Sequence, residues 1–332
     1  MEGFAAPLRQ ITTSPSTGDP NRSFPQYRYQ NKPMKVAMPH NSNLPSYWAS
    51  ISADIEDHLK QSVPVRPPLS VYEPMNYLVF SAPRTMAPAL SIAACELVGG
   101  QPEKAIPAAS VLHLMYAAST VHQRLLQSGR AKSPTTNYTV DHHNNTFPAG
   151  VELLTGDGIF SFGYELLARP FQDNKPERIL RVIMEITHAM GAQGMVEGQY
   201  LQLCRSGSES DYDMASDGKV GWSIEKMEGG LYACGAACGA ILGGATKEET
   251  ERLRSFGRYV GIIHGMITSM DDSDDGEHEK KEGLSEVLEK LRSLALKELE
   301  CFDHQRMVEI ISSILHLDSL LQFTHKQTQS LS

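Results

Sequence analysis

The sequence predicts an all-α fold, and three observations carry that expectation. Apolar residues recur at helical spacing in one long segment after another, no alternating strand pattern competes with them, and prolines and polar clusters punctuate the intervals. The chain has 332 residues, 41% of them hydrophobic and 21% charged, which is enough apolar material for a substantial core.

Residues 1–46 stand apart from the rest. Ser, Thr, Pro and Asn dominate them, and Arg9, Arg22, Arg28, Lys32 and Lys35 outnumber Glu2 and Asp19, in a chain whose formal net charge is -9. A basic, hydroxyl-rich, acid-poor leader is the composition of an organelle transit peptide, so 1–46 is expected to be a disordered N-terminal segment that carries an organelle address, the alternative being a disordered tail with no address. A single all-α domain is expected over 47–332.

Order is expected from Ser46, an N-cap for a helix carrying Trp48, Ile51, Ile55 and Leu59, which the prolines at 64, 67 and 68 end. Ser70 and Glu73 have the spacing of a capping box for a second helix reaching Phe80. Helical periods follow over 87–98, 106–127, 151–168, 176–203, 222–242, 247–270 and 284–299. A last helix carries Met307, Ile310, Ile311, Ile314 and Leu315. Residues 204–220 and 271–283 read as solvated polar loops.

The stretch Gly229 to Thr246, GGLYACGAACGAILGGAT, is long, uncharged and built of small side chains. As a helix it lines up Gly235, Gly239 and Gly243, with Cys234, Cys238 and Leu242 in the neighbouring row. Each interior glycine costs about 1 kcal/mol against alanine. Such a helix is tolerable where another backbone comes very close, so the stretch predicts a tight helix-helix contact, either inside the fold or between subunits. A membrane span needs about twenty predominantly apolar residues, and this run is shorter and diluted by glycine. Zinc needs a second ligand pair at a usual spacing, and His142-His143 reads more simply as a polar loop. A redox pair is normally Cys-x-x-Cys, and the five cysteines are odd in number and scattered, so a reducing compartment is the default. The negative net charge and the lack of a Lys/Arg cluster argue against a nucleic-acid partner. The glycosylation-type triplets at Asn21, Asn137 and Asn144 carry no weight without a secretory signal peptide.

Several motifs occur in a telling order: ALSIAACELVGG at 89–100, Gly156-Asp157 with 161–168, GMVEGQY at 194–200, CGAILGGAT at 238–246 and LRSFGRYVG at 253–261. Through them the chain resembles the trans-prenyltransferases of the geranylgeranyl diphosphate synthase group over roughly residues 47 to 302. The resemblance implies a single isoprenoid synthase helical bundle with a central cavity. Active members condense isopentenyl diphosphate with an allylic diphosphate. In them two Asp-Asp-x-x-Asp-type motifs on facing helices hold magnesium, a hard cation that wants carboxylate and phosphate oxygens.

This sequence departs from that pattern. After Val121-His122, where the family has its first aspartate pair, stand Gln123 and Arg124, and the next five residues include no acid. Arg124 brings positive charge where magnesium would bind. Of three basic positions in the family's Gly-Lys-Arg-x-Arg-Pro, APRTMAP at 82–88 keeps Arg84 alone. Met227 and Glu228 align with a Lys-Thr pair, with Lys226 one residue away. The second aspartate motif aligns with 268–272, yet Asp271-Asp272-Ser273-Asp274-Asp275 matches the pattern three residues later.

A synthase fold without its catalytic acids is similar to the non-catalytic small subunits of this family, and the resemblance is strong through 46–76. It implies no catalytic residue and no metal in this chain, with magnesium held by a geranylgeranyl/geranyl diphosphate synthase large subunit as partner. It also implies vestigial diphosphate positions at Arg84 and Gln199. Related small subunits use two Cys-x-x-x-Cys motifs for partner binding. Here Cys234 and Cys238 keep the second and Ser91 and Cys95 stand at the first, so these four are the expected contacts, with packing inside the subunit as the competing account. Two other functions stay open at this point. One is a short-chain prenyltransferase using Asp157, Asp271, Asp272 and Asp275 for magnesium. The other is a homo-oligomeric protein that holds isoprenoid diphosphates without turning them over.

Overall fold

A computed structural model describes residues 44–127, 147–169, 175–206, 221–271 and 278–316, and these are helical throughout apart from short turns. The triplets at Asn21, Asn137 and Asn144, the pair His142-His143, the leader up to residue 43, residues 207–220, and Asp272 and Asp275 lie outside the described residues. The helices are α1 Leu44–Ser62, α2 Leu69–Ser81, α3 Ala87–Leu97, α4 Ile106–Gln127, α5 Ala149–Ala168 and α6 Pro176–Met190. They continue as α7 Met195–Ser206, α8 Gly230–Gly243, α9 Lys247–Asp271, α10 His278–Leu299 and α11 Gln305–Ser312.

Several expected boundaries are corrected. α1 begins at Leu44, which puts Ser46 inside its first turn. α2 begins at Leu69 behind Pro68, with no side-chain cap, so the Ser70–Glu73 box is not used. Proline supplies its fixed φ just ahead of the first turn and starts the helix without help. The segment expected as one helix over 176–203 breaks after Met190, where Gly191 takes extended backbone. A side chain on Gly194 would overlap the Ala189 carbonyl, so the turn needs glycine there. α10 begins at His278, six residues before Leu284, since Glu and Lys are good helix formers whether or not an apolar stripe accompanies them. A reciprocal box at Thr246 and Glu249 opens α9: the Glu249 amide donates to Thr246 Oγ1 at 3.2 Å and the Thr246 amide to Glu249 Oε2 at 2.7 Å.

The glycine-rich stretch is the centre of the bundle. α8 is buried on every side from Leu231 to Leu242 and packs against α3, α9 and α6. Side chains on Gly235 and Gly239 would overlap the carbonyls of Ala87 and Ser91, and one on Gly243 would stand 2.8 Å from that of Cys95. Both series step by four, so the glycine row of α8 lies in register on the carbonyl row of α3. The relation repeats on the other side, where side chains on Gly257 and Gly261 of α9 would overlap the carbonyls of Tyr232 and Glu228. The tight contact therefore lies inside the subunit.

The four expected partner contacts sit in this seam. Ser91, Cys95 and Cys238 are wholly buried and Cys234 is 2% exposed. The Cys95 thiol donates to the Gln101 carbonyl at 3.4 Å, and the Cys234 and Cys238 sulfurs are 3.8 Å apart. Burial pushes the Cys95 thiol up to about 12, and contact with Cys234 together with burial raises that of Cys238. All five cysteines are free thiols.

Three outcomes follow from this packing. Gly239→Ala should destabilise the fold by about 2 to 3 kcal/mol in chemical denaturation, because backbone must move to admit the methyl group. In the native chain, iodoacetamide should label exposed Cys301 first and leave Cys95, Cys234 and Cys238 unreacted until denaturant is added, as read by peptide mass spectrometry. His58 on α1 lies 2.8 Å from Ser110 Oγ on α4, and burial, helped by the charge of Arg169, lowers its pKa to about 4. The fold holds the neutral imidazole, so its contribution is complete above pH 6.5 and is lost as pH falls from 6.5 toward 4. The loss is at most about 3 kcal/mol, and thermal melts of His58→Gln should show a shallower acid decline than the parent.

Candidate functional site

The positions that align with the family's catalytic motifs converge on one cavity. It measures about 160 Å3 and lies between α4, α7, the segment leading into α8, and the C-terminal part of α9. From α4 come Tyr116, Ser119, Thr120 and Gln123, the last at the first aspartate position. From α7 come Met195, Gln199 and Gln202. Met227 and Glu228 reach it from a π-helical turn at Glu225–Gly229, and Thr268 and Ser269 from the second aspartate position on α9.

The wall is made of amides and hydroxyls. Gln123 Nε2 donates to Gln202 Oε1 at 2.6 Å, joining the ends of α4 and α7, and Gln199 Nε2 donates to the Ser119 carbonyl at 2.9 Å. The Gln123–Gln202 bond stands between this cavity and an outer one of about 80 Å3 that Leu126 and Leu203 help to line. Glu228 is the one carboxylate among the described residues of the wall, with Oε2 3.6 Å from His264 Nδ1. Burial raises the phenol pKa of Tyr116 and Tyr232, and the charge of Glu228 adds to the effect.

The remaining expected site residues are dispersed. Arg84, between α2 and α3, is exposed and pairs with Glu56 of α1 at 2.9 Å, away from the cavity wall. Lys226 bridges to Glu197 at 2.9 Å, donates to the Gln193 carbonyl at 3.0 Å and lies over the Trp222 ring, so its charge is spent on α7. Asp157 is 3.4 Å from His122 Nε2 and also outside the wall. Asp271 is the last residue of α9. Gln199 alone of the proposed diphosphate residues lines the cavity.

Among the described residues no group of three or more His, Cys, Asp or Glu could hold a metal ion. One carboxylate among amides and hydroxyls does not fit a diphosphate-bridged magnesium cluster, which needs several acidic oxygens. The volume is also below the roughly 300 Å3 at which small-molecule clefts begin. Among the described residues of the wall there is no Lys or Arg to neutralise a diphosphate.

Sequence reasoning missed two features. Arg124 Nη2 lies 3.4 Å from the wholly buried Glu152 of α5, a pairing hinted at by an acid in an otherwise apolar segment. The second is a set of exposed apolar side chains on α5 and α6: Leu154 is 73% exposed, Met184 64%, Leu180 59% and Leu153 46%. Gly158, one turn beyond Leu154, has open space where a side chain would stand. The i, i+4 spacing of Leu180 and Met184 was the available signal.

Comparison with known proteins agrees with this arrangement. The family described as polyprenyl synthetase matches residues 69–311. A heterodimeric geranylgeranyl pyrophosphate synthase small subunit 2, chloroplastic, of Cannabis sativa is 46% identical over 273 residues, 81% of this chain and 91% of the relative. The solved geranyl diphosphate synthase small subunit of Antirrhinum majus is 42% identical, with a TM-score of 0.68 over 83% of this chain and 100% of that one. A chain of a mint deletion mutant of heterotetrameric geranyl pyrophosphate synthase in complex with ligands is 41% identical, with a TM-score of 0.67 over 81% of this chain and 98% of its own. With the fold, the converging motif positions and the matched span in agreement, this chain belongs to the polyprenyl synthetase family.

Proposed function

We propose that this protein is a non-catalytic small subunit that acts in the plastid by joining a geranylgeranyl diphosphate synthase-type large subunit and steering its product toward geranyl diphosphate. The observation that carries the reading is the cavity: the family's fold is kept while the acid positions that line it hold Gln123, Thr268 and Ser269, and its described lining residues offer one carboxylate. Magnesium and both diphosphates are then the large subunit's to bind. Relatives named as small subunits of heterodimeric, chloroplastic synthases support the partnership and the compartment. A solved relative titled as a heterotetrameric geranyl pyrophosphate synthase supports the shorter product.

The exposed apolar face of α5 and α6 supplies the docking surface in this reading. Burying side chains such as Leu154, Leu180 and Met184 contributes about 1.5 to 3 kcal/mol each, and the open space at Gly158 lets a partner helix come close. Ser91, Cys95, Cys234 and Cys238 serve docking indirectly, by setting the place of α3 and α8. Bound there, the small subunit shapes the partner's cavity so that chain growth ends early.

The test is a prenyltransferase assay with isopentenyl and dimethylallyl diphosphates and magnesium, run on this chain, on a plastid geranylgeranyl diphosphate synthase, and on the mixture. The expected result is no product from this chain and a shift of the mixture toward geranyl diphosphate. A mixture that makes more of the twenty-carbon product would retain the partnership and overturn the steering. Product from this chain alone would overturn the whole reading. Leu154→Asp and Met184→Asp should each weaken association at least tenfold in a binding titration while moving the thermal midpoint by less than about 2 °C.

A further inference from the structure

His122 and the two residues that follow it at the degenerate first metal motif all make contacts between helices. α4 and α5 run antiparallel, with Met115 against Gly163 and His122 against Gly156. A side chain on Gly156 would come 2.6 Å from His122 Nε2, so the glycine makes room for the imidazole. The ring stacks on Phe160 with centroids 6.0 Å apart and faces Asp157 at 3.4 Å. Two residues on, Arg124 reaches Glu152, whose side chain is 1% exposed while the arginine is half-exposed. Between them Gln123 turns the other way and bonds Gln202 of α7.

We propose that His122, Gln123 and Arg124 form a clamp that fixes α5 and α7 onto the end of α4, so that the site of the lost metal motif now has a structural task. Successive residues on a helix point about 100° apart, and the long arginine reaches back to the neighbour that His122 already touches. Two members therefore hold α5 and one holds α7. An aspartate at 124 would face the buried carboxylate of Glu152 with like charge, and one at 123 would lose the amide N–H that Gln202 accepts. Restoring the acids therefore opposes the fold before it can restore a metal site. The turn that carries Glu152 also carries Leu153 and Leu154, so the clamp sets the position of the docking face as well. That last link rests on the function proposed above.

The test is the full-length double variant Gln123→Asp with Arg124→Asp, melted alone and assayed with magnesium and both diphosphates. The clamp requires a midpoint lower by at least about 4 °C and no product. An unchanged or higher midpoint, or magnesium-dependent product, would falsify it. A milder series guards against outright unfolding: Arg124→Gln in the parent and in Glu152→Gln, where the second change should cost less than half of the first. Equal costs in both backgrounds would show that Arg124 does not act through Glu152 and would overturn the arginine arm. Association with the large subunit is measured on the same samples. A parent chain that fails to associate sinks the proposed function and leaves the clamp standing, whereas a destabilised variant that still associates at parental affinity sinks the link between clamp and docking face.

Discussion

The structure depends on the close approach of three helix backbones. α8 sets its glycines on the carbonyls of α3, and α9 sets Gly257 and Gly261 on the carbonyls of α8 and the turn before it. The two interior glycines of α8, Gly235 and Gly239, cost roughly 2 kcal/mol of helix stability, and dense contact along both seams offsets that loss. The alignment also governs the cavity. Glu228 lies at the head of one seam, and Thr268 lies two turns beyond Gly261 on the same helix. The seams set the course of α8 and α9, and the contacts of Gln123 and Arg124 fix α7 and α5 beside them.

Within that frame the chemistry of the wall has been exchanged. Carboxylates that would attract magnesium are replaced by groups that satisfy one another, as Gln123 does with Gln202. A neutral amide bond at such a place carries little of the desolvation cost of a charged pair. Arg254 forks onto Glu185 with its second bond at 2.8 Å, and Arg178 donates to the Leu242 carbonyl at 3.0 Å, so one ion pair and one charged hydrogen bond hold α6 at two points along its length. The outer face of α6 is thus held firmly although its own apolar residues contribute nothing to the core of this subunit.

Most of the fold was legible because helical period survives in a single sequence. The break at Gly191 was not, since apolar spacing runs on across it and a glycine reads equally as a tolerated interior residue. Ser46 and Ser70 misled for a related reason, because hydroxyl caps compete with proline and the local chain decides between them. At the site, the family resemblance located Gln123 and Arg124 but could not reveal Gln202 or Glu152, which come from other helices. The cysteines posed a similar problem: a row of small residues announces close approach without saying to what, and the matching four-residue step of the α3 carbonyls was needed to place Cys95, Cys234 and Cys238 within the seam.

The cavity has one more consequence. It measures about 160 Å3, and its described lining residues include no Lys or Arg. In the role proposed above the chain leaves the substrate pool to its partner. Its influence is then governed by stoichiometry: it rises with the amount of the chain until every partner is occupied, stops there, and does not vary with the supply of five-carbon precursors.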